Sequence, residues 1–409
     1  MKVWHTKKLF IGFIILAFSI NISCQPEYGY VELPKYDFPE PSATPKPSVS
    51  PKEEEETKTT TKPKTEPKKT PETPKNTLDT IFLTSEVKHK LEKYVKEDLK
   101  STFDNNGYYL YYKNKDEEGL MINKKGSNSA YWVHADIYKS FKQAGGIEIL
   151  GYPVAEQEFI HQDKLKDTVA KQLFEKGVIY YFNDPDLENF YENTLVRLYD
   201  DLKIDNIDFK FKTDANLPTY AEKSTGRQGD PINIIFIAKN QEQIEKAFDD
   251  SKWVKPKFGF NNIPFSELQV YGRGQDLGYA RETSNIFTFY KRRHHIRFWN
   301  SATKENDKEM WVAAATEDVE VKFKNKDLRQ EEKNNKDPDR KNPLTHKIDP
   351  DTDKEREYVR KTLTEKNPKI KTYFVKHPKI SDKFVDTTNS SLDLVLWDGR
   401  ILVVDLSDI

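Results

Sequence analysis

The sequence predicts an α+β protein in which two small mixed domains follow a signal peptide and a disordered linker rich in Pro, Lys, Glu and Thr. Three features support this fold class. An apolar run follows lysines at the N-terminus, a proline-rich polar stretch comes next, and short strand-like and helix-like segments fill the remaining chain. The predicted boundaries are 1–23 for the signal peptide, 24–78 for the linker, 79–205 for the first domain and 210–409 for the second.

The length and charge of the chain limit its class. Its 409 residues accommodate about two domains plus appendages, at roughly 100–200 residues per domain. The formal net charge is -1, so overall charge does not favour nucleic-acid binding, and we expect no nucleic-acid partner. A single cysteine excludes an intramolecular disulfide framework.

The N-terminal segment has the features of an export signal. Lys2, Lys7 and Lys8 precede an apolar run over residues 9–20, and Cys24 follows it closely. The segment is similar to a bacterial lipoprotein signal. That resemblance implies cleavage before Cys24, acylation of this cysteine and attachment to a membrane of the bacterial cell envelope, with the outer membrane or cell surface favoured. A secretory signal followed by an incidental cysteine is the alternative.

Residues 24–78 are predicted to be a disordered tether. Eleven of the 22 prolines fall between residues 25 and 78, among Lys, Glu, Thr and Ser. This composition offers too little apolar surface to offset the conformational entropy of the chain. Such a tether would hold the folded part away from the membrane, with a reach on the order of 50–150 Å.

The first domain begins with a helix predicted over residues 85–100, because its apolar residues recur at helical spacing. A strand is predicted at 108–112 and a helix-like segment at 187–202. Between them, residues 131–182 resemble the LGFP repeat of bacterial cell-envelope proteins. The matching residues are Gly145-Gly146, Leu150-Gly151-Tyr152-Pro153, Phe174, Gly177, Ile179 and Tyr180. The resemblance implies attachment to, or recognition of, an envelope polymer.

Two aromatic residues of this segment have two interpretations. Tyr131 and Trp132 are expected to pack in the core, and the alternative is that they are exposed and stack on sugars.

The second domain is predicted to alternate strands with two helices. The order is a strand at 232–238, a helix at 241–248, strands at 267–271, 286–299 and 311–323, a helix at 351–365, and strands at 370–375, 392–396 and 401–404. The charged run 324–341 is predicted to be a loop. Asp398-Gly399 predicts a hairpin between the last two strands.

Residues 290–300, YKRRHHIRFWN, contain the most informative pattern. With the two-residue period of a strand, one face carries Arg293, His295, Arg297 and Trp299. Two guanidiniums on a buried face need acidic partners or an anionic ligand, because an unpaired buried charge is very costly. We therefore interpret this face as the positive floor of a pocket. His294, on the opposite face, is predicted to be a surface or packing residue.

Further polar clusters accompany the neighbouring strands. The clusters are Gly272-Arg273 with Asp276, residues 311–318, and residues 345–356. Together with Asp230-Pro231 and the strand at 293–299, they resemble the LssY C-terminal domain family over about residues 229–366. The resemblance implies an envelope domain that occurs alone or joined to membrane phosphatase-like domains, without a settled activity.

The first interpretation of these clusters is a binding pocket. Its arginines would grip a phosphate or carboxylate through bidentate contacts. The predicted ligand-binding residues are Arg273, Asp276, Arg293, Arg297, Trp299, Asp318, Thr345, Asp353 and Arg356.

The second interpretation is hydrolysis of a phosphoester or a glycan-linked substrate. The predicted catalytic residues are His295, His346 and Asp349. Either histidine would act as general base, oriented by Asp349 or Asp318. A metal ion held by His346, Asp349 and Asp353 is a further alternative. The sequence contains neither a Gly-Lys-Ser/Thr phosphate loop nor a Gly-x-Ser-x-Gly elbow, which argues against nucleotide hydrolysis and serine esterase chemistry.

The third interpretation is structural. Arg293, Arg297 and Arg356 would pair with Asp276, Asp318 and Asp349 in a buried network, while Asp351 and Asp353 favour a helix N-terminus.

Taken together, the signal, the tether and the two domains lead us to expect a membrane-anchored cell-envelope lipoprotein that binds an envelope polysaccharide or an anionic ligand. An envelope hydrolase and a non-catalytic scaffold are the alternatives.

Overall fold

The computed structural model describes the chain from residue 78 onward, with gaps. The described residues are 78–91, 94–96, 98–102, 104–115, 117–162, 168–183, 193–205, 217–223, 225–255, 268–282, 293–305, 307–324, 326–334, 336, 341, 344–381 and 384–409. The predicted signal peptide, Cys24 and the predicted linker up to residue 77 lie outside them. Within the described ranges, no helix is both long and apolar enough to cross a membrane.

The first part of the described chain contains two antiparallel sheets and short helices. Its elements are α1 (Leu78–His89), β1 (Val95–Lys96), β2 (Lys100–Ser101), β3 (Gly107–Lys113), β4 (Glu118–Lys124), β5 (Ala130–Val133), α2 (Ala135–Gln143), α3 (Gly146–Leu150), β6 (Glu158–Gln162), β7 (Thr168–Phe174), β8 (Gly177–Asn183), β9 (Thr194–Leu198) and a 3-10 helix (Tyr199–Asp201). One sheet has the order β1-β3-β4-β5, with β2 also on β3, and the other has the order β6-β7-β8-β9. Apolar side chains from both sheets, α2 and α3 form a common core.

Two helix predictions in this part are wrong. The first helix ends at His89, because Lys90 adopts a left-handed conformation (φ 54°) and Val95 then pairs with Lys113 of β3. The segment predicted as helix-like at 187–202 contains β9 and the 3-10 helix, while 187–192 lie outside the described residues. The apolar residues of β9 suit either period, and pairing with β8 makes this segment a strand.

The LGFP-like segment contains a sharp backbone bend at Gly151. Gly151 has φ 75° and ψ -165°, a conformation that is essentially restricted to glycine. A Cβ at this position would also lie 2.8 Å from the Cβ of Glu175. Trp132 is buried in the core, as expected, and Tyr131 is half-buried.

The second part is built around a large mixed sheet. Its strands are β12 (Ile234–Ala238), β15 (Leu277–Glu282), β16 (Arg293–Glu305), β17 (Lys308–Phe323), β18 (Leu344–Ile348), β19 (Lys371–Lys376) and β22 (Arg400–Asp405). The order is β15-β16-β17-β12-β22-β19, and β18 also pairs with β17. Neighbours are antiparallel except for β12 and β22, which are parallel.

The two faces of this sheet are covered by different elements. On one face, α4 (Gln241–Asp250) and α6 (Thr352–Lys366) pack on apolar residues that include Phe236 and Phe298. On the other face lies a small sheet with the order β11-β10-β13-β14. Its strands are β10 (Tyr220–Lys223), β11 (Gln228–Pro231), β13 (Leu268–Val270) and β14 (Arg273–Gly274). This arrangement confirms the predicted α+β class.

The predicted hairpin at Asp398-Gly399 is wrong, although both of its strands exist. β21 (Leu394–Trp397) pairs with β20 (Val385–Thr388), whereas β22 joins the large sheet. The turn has the expected positive φ at Gly399, and it carries the chain from one sheet to another. A turn residue specifies local backbone geometry, and the pairing of the flanking strands is decided by their apolar neighbours.

The charged run predicted as a loop contains a helix, α5 (Lys326–Asn334). Leu328 is buried, and the Lys324 ammonium lies 2.9 Å from a carboxylate oxygen of Glu332. Among the described contacts, Leu328 and the Lys324–Glu332 ion pair hold this helix against the protein, and the sequence pattern does not distinguish them from the surrounding charged residues.

Described contacts connect the first and second parts. Val178 and Phe182 of β8 share a core with Leu394 and Leu396 of β21. Lys171 pairs with Asp386 at 2.7 Å. All the described residues fall in one compact unit, and the predicted boundary between residues 205 and 210 falls at a gap in the described chain.

Candidate functional site

The predicted faces of β16 are confirmed by its register with β17. Arg293 lies opposite Asp318 and His295 opposite Thr316, while His294 lies opposite Glu317. Each of the adjacent pairs His294-His295 and Glu317-Asp318 is therefore split across the sheet. One imidazole and one carboxylate reach each face.

Asp318 is the centre of the polar cluster on the face opposite the helices. One of its carboxylate oxygens, Oδ2, lies 3.0 Å from Nε of Arg293, 3.5 Å from Nδ1 of His295 and 3.7 Å from Nδ1 of His346. Burial would raise the pKa of Asp318, but His295, Arg293 and His346 outweigh burial and hold this pKa well below its usual range. Asp318 is therefore an ionised carboxylate that neutralises this cluster.

The two histidines around Asp318 differ in access to solvent. His295 is 1% exposed, and its Nε2 lies 2.8 Å from Oγ1 of Thr316. Burial lowers the pKa of His295 well below its usual value. The His346 side chain is 37% exposed, and burial together with Arg293 and Arg297 lowers its pKa despite Asp318. Both imidazoles are neutral near pH 7, and His346 is the one that a ligand can reach.

Arg297 has an acidic partner of its own. Its Nη1 donates to Oδ2 of Asp230 at 2.9 Å, and Asn389 donates to the other oxygen at 3.3 Å. Burial raises the pKa of Asp230, and the charge of Arg297 opposes that rise. The guanidiniums of Arg293 and Arg297 are thus each paired with a carboxylate. The pocket floor that was predicted to be positive is therefore balanced in charge. Of the two predicted ways to compensate its arginines, acidic partners and an anionic ligand, the structure contains the acidic partners.

The predicted binding residues Arg273, Asp276 and Trp299 lie at the far end of β16. Arg273 pairs with Asp276, whose Oδ2 accepts from the Asn300 backbone at 2.7 Å. Trp299 is fully buried in the apolar core between the large and small sheets. These contacts fix the end of the strand.

Asp353 and Arg356 belong to a separate buried network. Arg356 donates to both oxygens of Asp398, at 2.8 and 2.9 Å, and its Nη1 lies 3.1 Å from Asp353. Arg197, from β9 in the first part, reaches Asp353 at 2.7 Å. Burial and the Asp398 carboxylate raise the pKa of Asp353 to about 7, although both arginines oppose the rise.

The structural interpretation thus identified the paired arginines correctly, but it assigned some of them to the wrong carboxylates. Arg293 pairs with Asp318 as predicted, whereas Arg297 pairs with Asp230 and Arg356 with Asp398. Asp351 caps α6, as expected, by accepting from the Lys354 backbone.

Asp349, predicted to orient a catalytic histidine, makes other contacts. Its carboxylate accepts from the Asp351 backbone at 2.9 Å and lies 3.5 Å from the Lys354 ammonium. Burial raises the pKa of Asp349 to about 7. The carboxylate beside His346 is Asp318, which was the second predicted partner.

A polar cluster on the helix-facing side was not predicted from the sequence. His294, Glu317 and Glu355 are all buried, and potential ligand atoms of the three lie within 4.8 Å of one another. Among the described residues, this is the set of three metal-ligating side chains that converges, and His346, Asp349 and Asp353 do not. His294 is therefore buried among polar groups. The adjacent histidines and acids on neighbouring strands were the available signal.

Comparison with known families supports the predicted resemblance in the C-terminal part. Residues 259–401 match the family described as LssY C-terminus. Comparisons with curated proteins and with solved structures found no match. The matched region includes β16, β17, β18 and α6 and continues past the predicted end at residue 366, but it begins after Asp230. It does not reach the LGFP-like segment, whose resemblance stays a prediction.

Proposed function

We propose that this chain is a cell-envelope lipoprotein, attached to a membrane through acylated Cys24, which binds an envelope polysaccharide with its C-terminal part. We place the binding surface at His346 and Arg293, both beside the Asp318 carboxylate, and we extend it to Thr345, which precedes His346 in β18. The observation on which the proposal rests is the position of His346, a half-exposed neutral imidazole beside a buried carboxylate.

The charge balance of the site favours a neutral, hydroxyl-rich ligand. Asp318 and Asp230 already neutralise the two guanidiniums of the floor. A free anion would have to compete with these buried carboxylates, whereas sugar hydroxyls can exchange hydrogen bonds with an imidazole, a guanidinium and a hydroxyl. The Thr345 hydroxyl supplies the third group, and it donates to Ser391 at 3.1 Å.

The LGFP-like segment supports the same class of ligand, because its resemblance implies recognition of an envelope polymer. It packs against the C-terminal part through β8 and β21. Two polymer-binding surfaces on one tethered chain would increase the residence time on an extended polymer through effective concentration.

The experiment measures binding of the full chain, in detergent, to purified envelope polysaccharide fragments and to inorganic phosphate. We expect saturable binding of a glycan that is weakened at least tenfold by His346→Ala and by Thr345→Val. The matched control is Thr303→Val, at the other end of β16. If the chain binds phosphate but no glycan, the ligand of this surface is an anion and the glycan proposal is wrong. Equal binding by all variants would exclude this surface.

A hydrolase is the second candidate, and the pairing of His346 with Asp318 favours it. A neutral imidazole oriented by a carboxylate is the arrangement of a general base. The test is turnover of phosphoester and glycan substrates by the full chain. Turnover lost in His346→Ala with an unchanged unfolding transition would support the enzyme. The absence of both turnover and binding would favour a scaffold with a structural ion-pair network.

A further inference from the structure

A second polar cluster lies on the opposite side of the large sheet from His346. His294 of β16 is in register with Glu317 of β17, and Glu355 reaches them from the first turns of α6. Nδ1 of His294 lies 2.6 Å from Oε2 of Glu355. The ring of His294 stacks on Tyr358, with centroids 3.7 Å apart, so the imidazole is held in one orientation. Two strands and a helix thus bring one nitrogen and two carboxylates to a single point.

Burial makes this arrangement costly without a cation. Glu355 is 2% exposed, and its Oε1 has no hydrogen-bond partner in the structure. Glu317 is 4% exposed, so two carboxyl groups are adjacent within the core. An unsatisfied buried carboxylate oxygen loses its hydration without replacement, and a neighbouring carboxylate adds repulsion.

Two described cations adjoin this cluster, and each has another contact. The Lys354 ammonium is half-exposed and lies 3.5 Å from Asp349. The Arg281 guanidinium lies over the ring of Tyr358, 5.7 Å from its centroid. Neither forms a described ion pair with Glu355.

We propose that His294, Glu317 and Glu355 bind a divalent transition-metal ion of the Mn²⁺ or Zn²⁺ type. The ion would take the place between the imidazole nitrogen and the carboxylate oxygens that a shared proton occupies otherwise. One imidazole with two carboxylates suits these metals, because nitrogen disfavours Mg²⁺ and Ca²⁺ and the absence of thiolate disfavours Cu(I). The unpartnered Glu355 oxygen then gains a ligand bond.

The ion would also have a mechanical role. Its ligands come from β16, β17 and α6, so one ion would fasten the helix to the sheet. The same helix carries Arg356, which faces the Asp398 network, one residue from Glu355. Metal binding is therefore expected to protect α6 from local opening.

The test uses the full chain in detergent, stripped with EDTA and titrated with MnCl₂ and with ZnCl₂ by calorimetry. Binding is compared between the unmodified chain, His294→Gln and Glu355→Gln. Glu365→Gln is the matched control, because this residue is on the same helix and pairs with Lys361 at the surface. His346→Gln is the second control, since it removes the histidine of the other site.

We expect one equivalent of metal, and binding weakened at least tenfold in His294→Gln and Glu355→Gln but unchanged in both controls. In the Mn²⁺-loaded chain, electron spin-echo modulation should show coupling to a nitrogen nucleus that His294→Gln removes. The presence of nitrogen coupling is read on the folded, unmodified chain, and only its assignment to His294 uses the variant. Two outcomes would overturn the proposal: no binding of either metal at millimolar concentration, or binding that persists in Glu355→Gln without nitrogen coupling.

Discussion

Arg356 and Asp398 form two parallel hydrogen bonds, at 2.8 and 2.9 Å, and the arginine has no exposed surface. The guanidinium also stacks on Phe374, 5.0 Å from the ring centroid. This pair connects α6 to the start of β22. It therefore fixes a helix to a central strand of the large sheet.

Removal of this guanidinium should destabilise the protein strongly. In Arg356→Met, the side chain keeps much of its apolar contact, but Asp353 and Asp398 lose the cation between them. Breaking a buried pair on one side costs about 3–5 kcal/mol, and we expect the lower end of this range because Arg197 still contacts Asp353 and Arg400 still contacts Asp398. Urea unfolding of the full chain measures the change, with Arg360→Met, on the exposed side of the same helix, as the control. A loss as small as that of the control would contradict the role of the network.

Arg197 should couple the first part of the chain to α6. It lies on β9 with 10% of its side chain exposed, and it contacts both Asp351, the cap of the helix, and Asp353. In Arg197→Met we expect faster amide exchange in the first turn of α6, since both carboxylates lose this partner. Mass spectrometry of exchanging peptides measures the rate. The control is Lys176→Met, because this exposed side chain lies in the turn between β7 and β8. Equal exchange rates in the two variants would count against the coupling.

His377 should make stability depend on pH. It is buried beside Trp397, and its Nδ1 accepts a hydrogen bond from the Lys379 backbone at 3.1 Å. Burial lowers the pKa of His377 from 6.5 to about 4. As the pH falls, the unfolded chain binds this proton first, so stability is lost between about pH 6.5 and pH 4.

In His377→Gln, the fall in unfolding free energy over this window should be shallower than in the unmodified chain. His134→Gln, at the start of α2, should retain the full slope. Urea unfolding at a series of pH values gives the slopes. An NMR titration that places the His377 transition near pH 6.5 would refute the explanation.

Gly151 should tolerate no side chain. Its φ of 75° with ψ of -165° is strained for any other residue, and a Cβ would contact Glu175. We expect Gly151→Ala to lower the unfolding free energy by about 1–3 kcal/mol. Gly274→Ala, where no atom lies within 4 Å of the added Cβ, should be nearly neutral. Thermal unfolding compares the two, and similar midpoints would show that the turn can relax.

Local patterns were sufficient to predict five of the seven strands of the large sheet and both helices that cover it, whereas β15 and β18 were missed. The alternation in β16 placed Arg293 and His295 on one face correctly, because a strand has only two sides. The partner of each arginine could not be predicted in the same way. Asp230 is distant in sequence from Arg297, and several other acids were equally plausible before the strands were brought into register.

Two other errors have a similar origin. Asp398-Gly399 predicts a turn, but the choice between a hairpin and a crossing to another sheet depends on residues outside the turn. His294 carries no signal by itself, and its meaning depends on Glu317 opposite it and on Glu355 from α6. Contacts between elements that are remote in sequence determine both features.

The position of β22 between β12 and β19 affects the order in which the large sheet can form during synthesis. On the ribosome, β12 emerges long before its parallel neighbour β22. Ile235 and Phe236 therefore cannot form their pairing with β22 until the end of the chain has been synthesised. Non-local pairing of this kind slows folding. The large sheet cannot be completed until residue 405 has been translated. If the predicted export signal is functional, this delay would keep the chain unfolded for passage through a translocation channel, which accepts unfolded polypeptides.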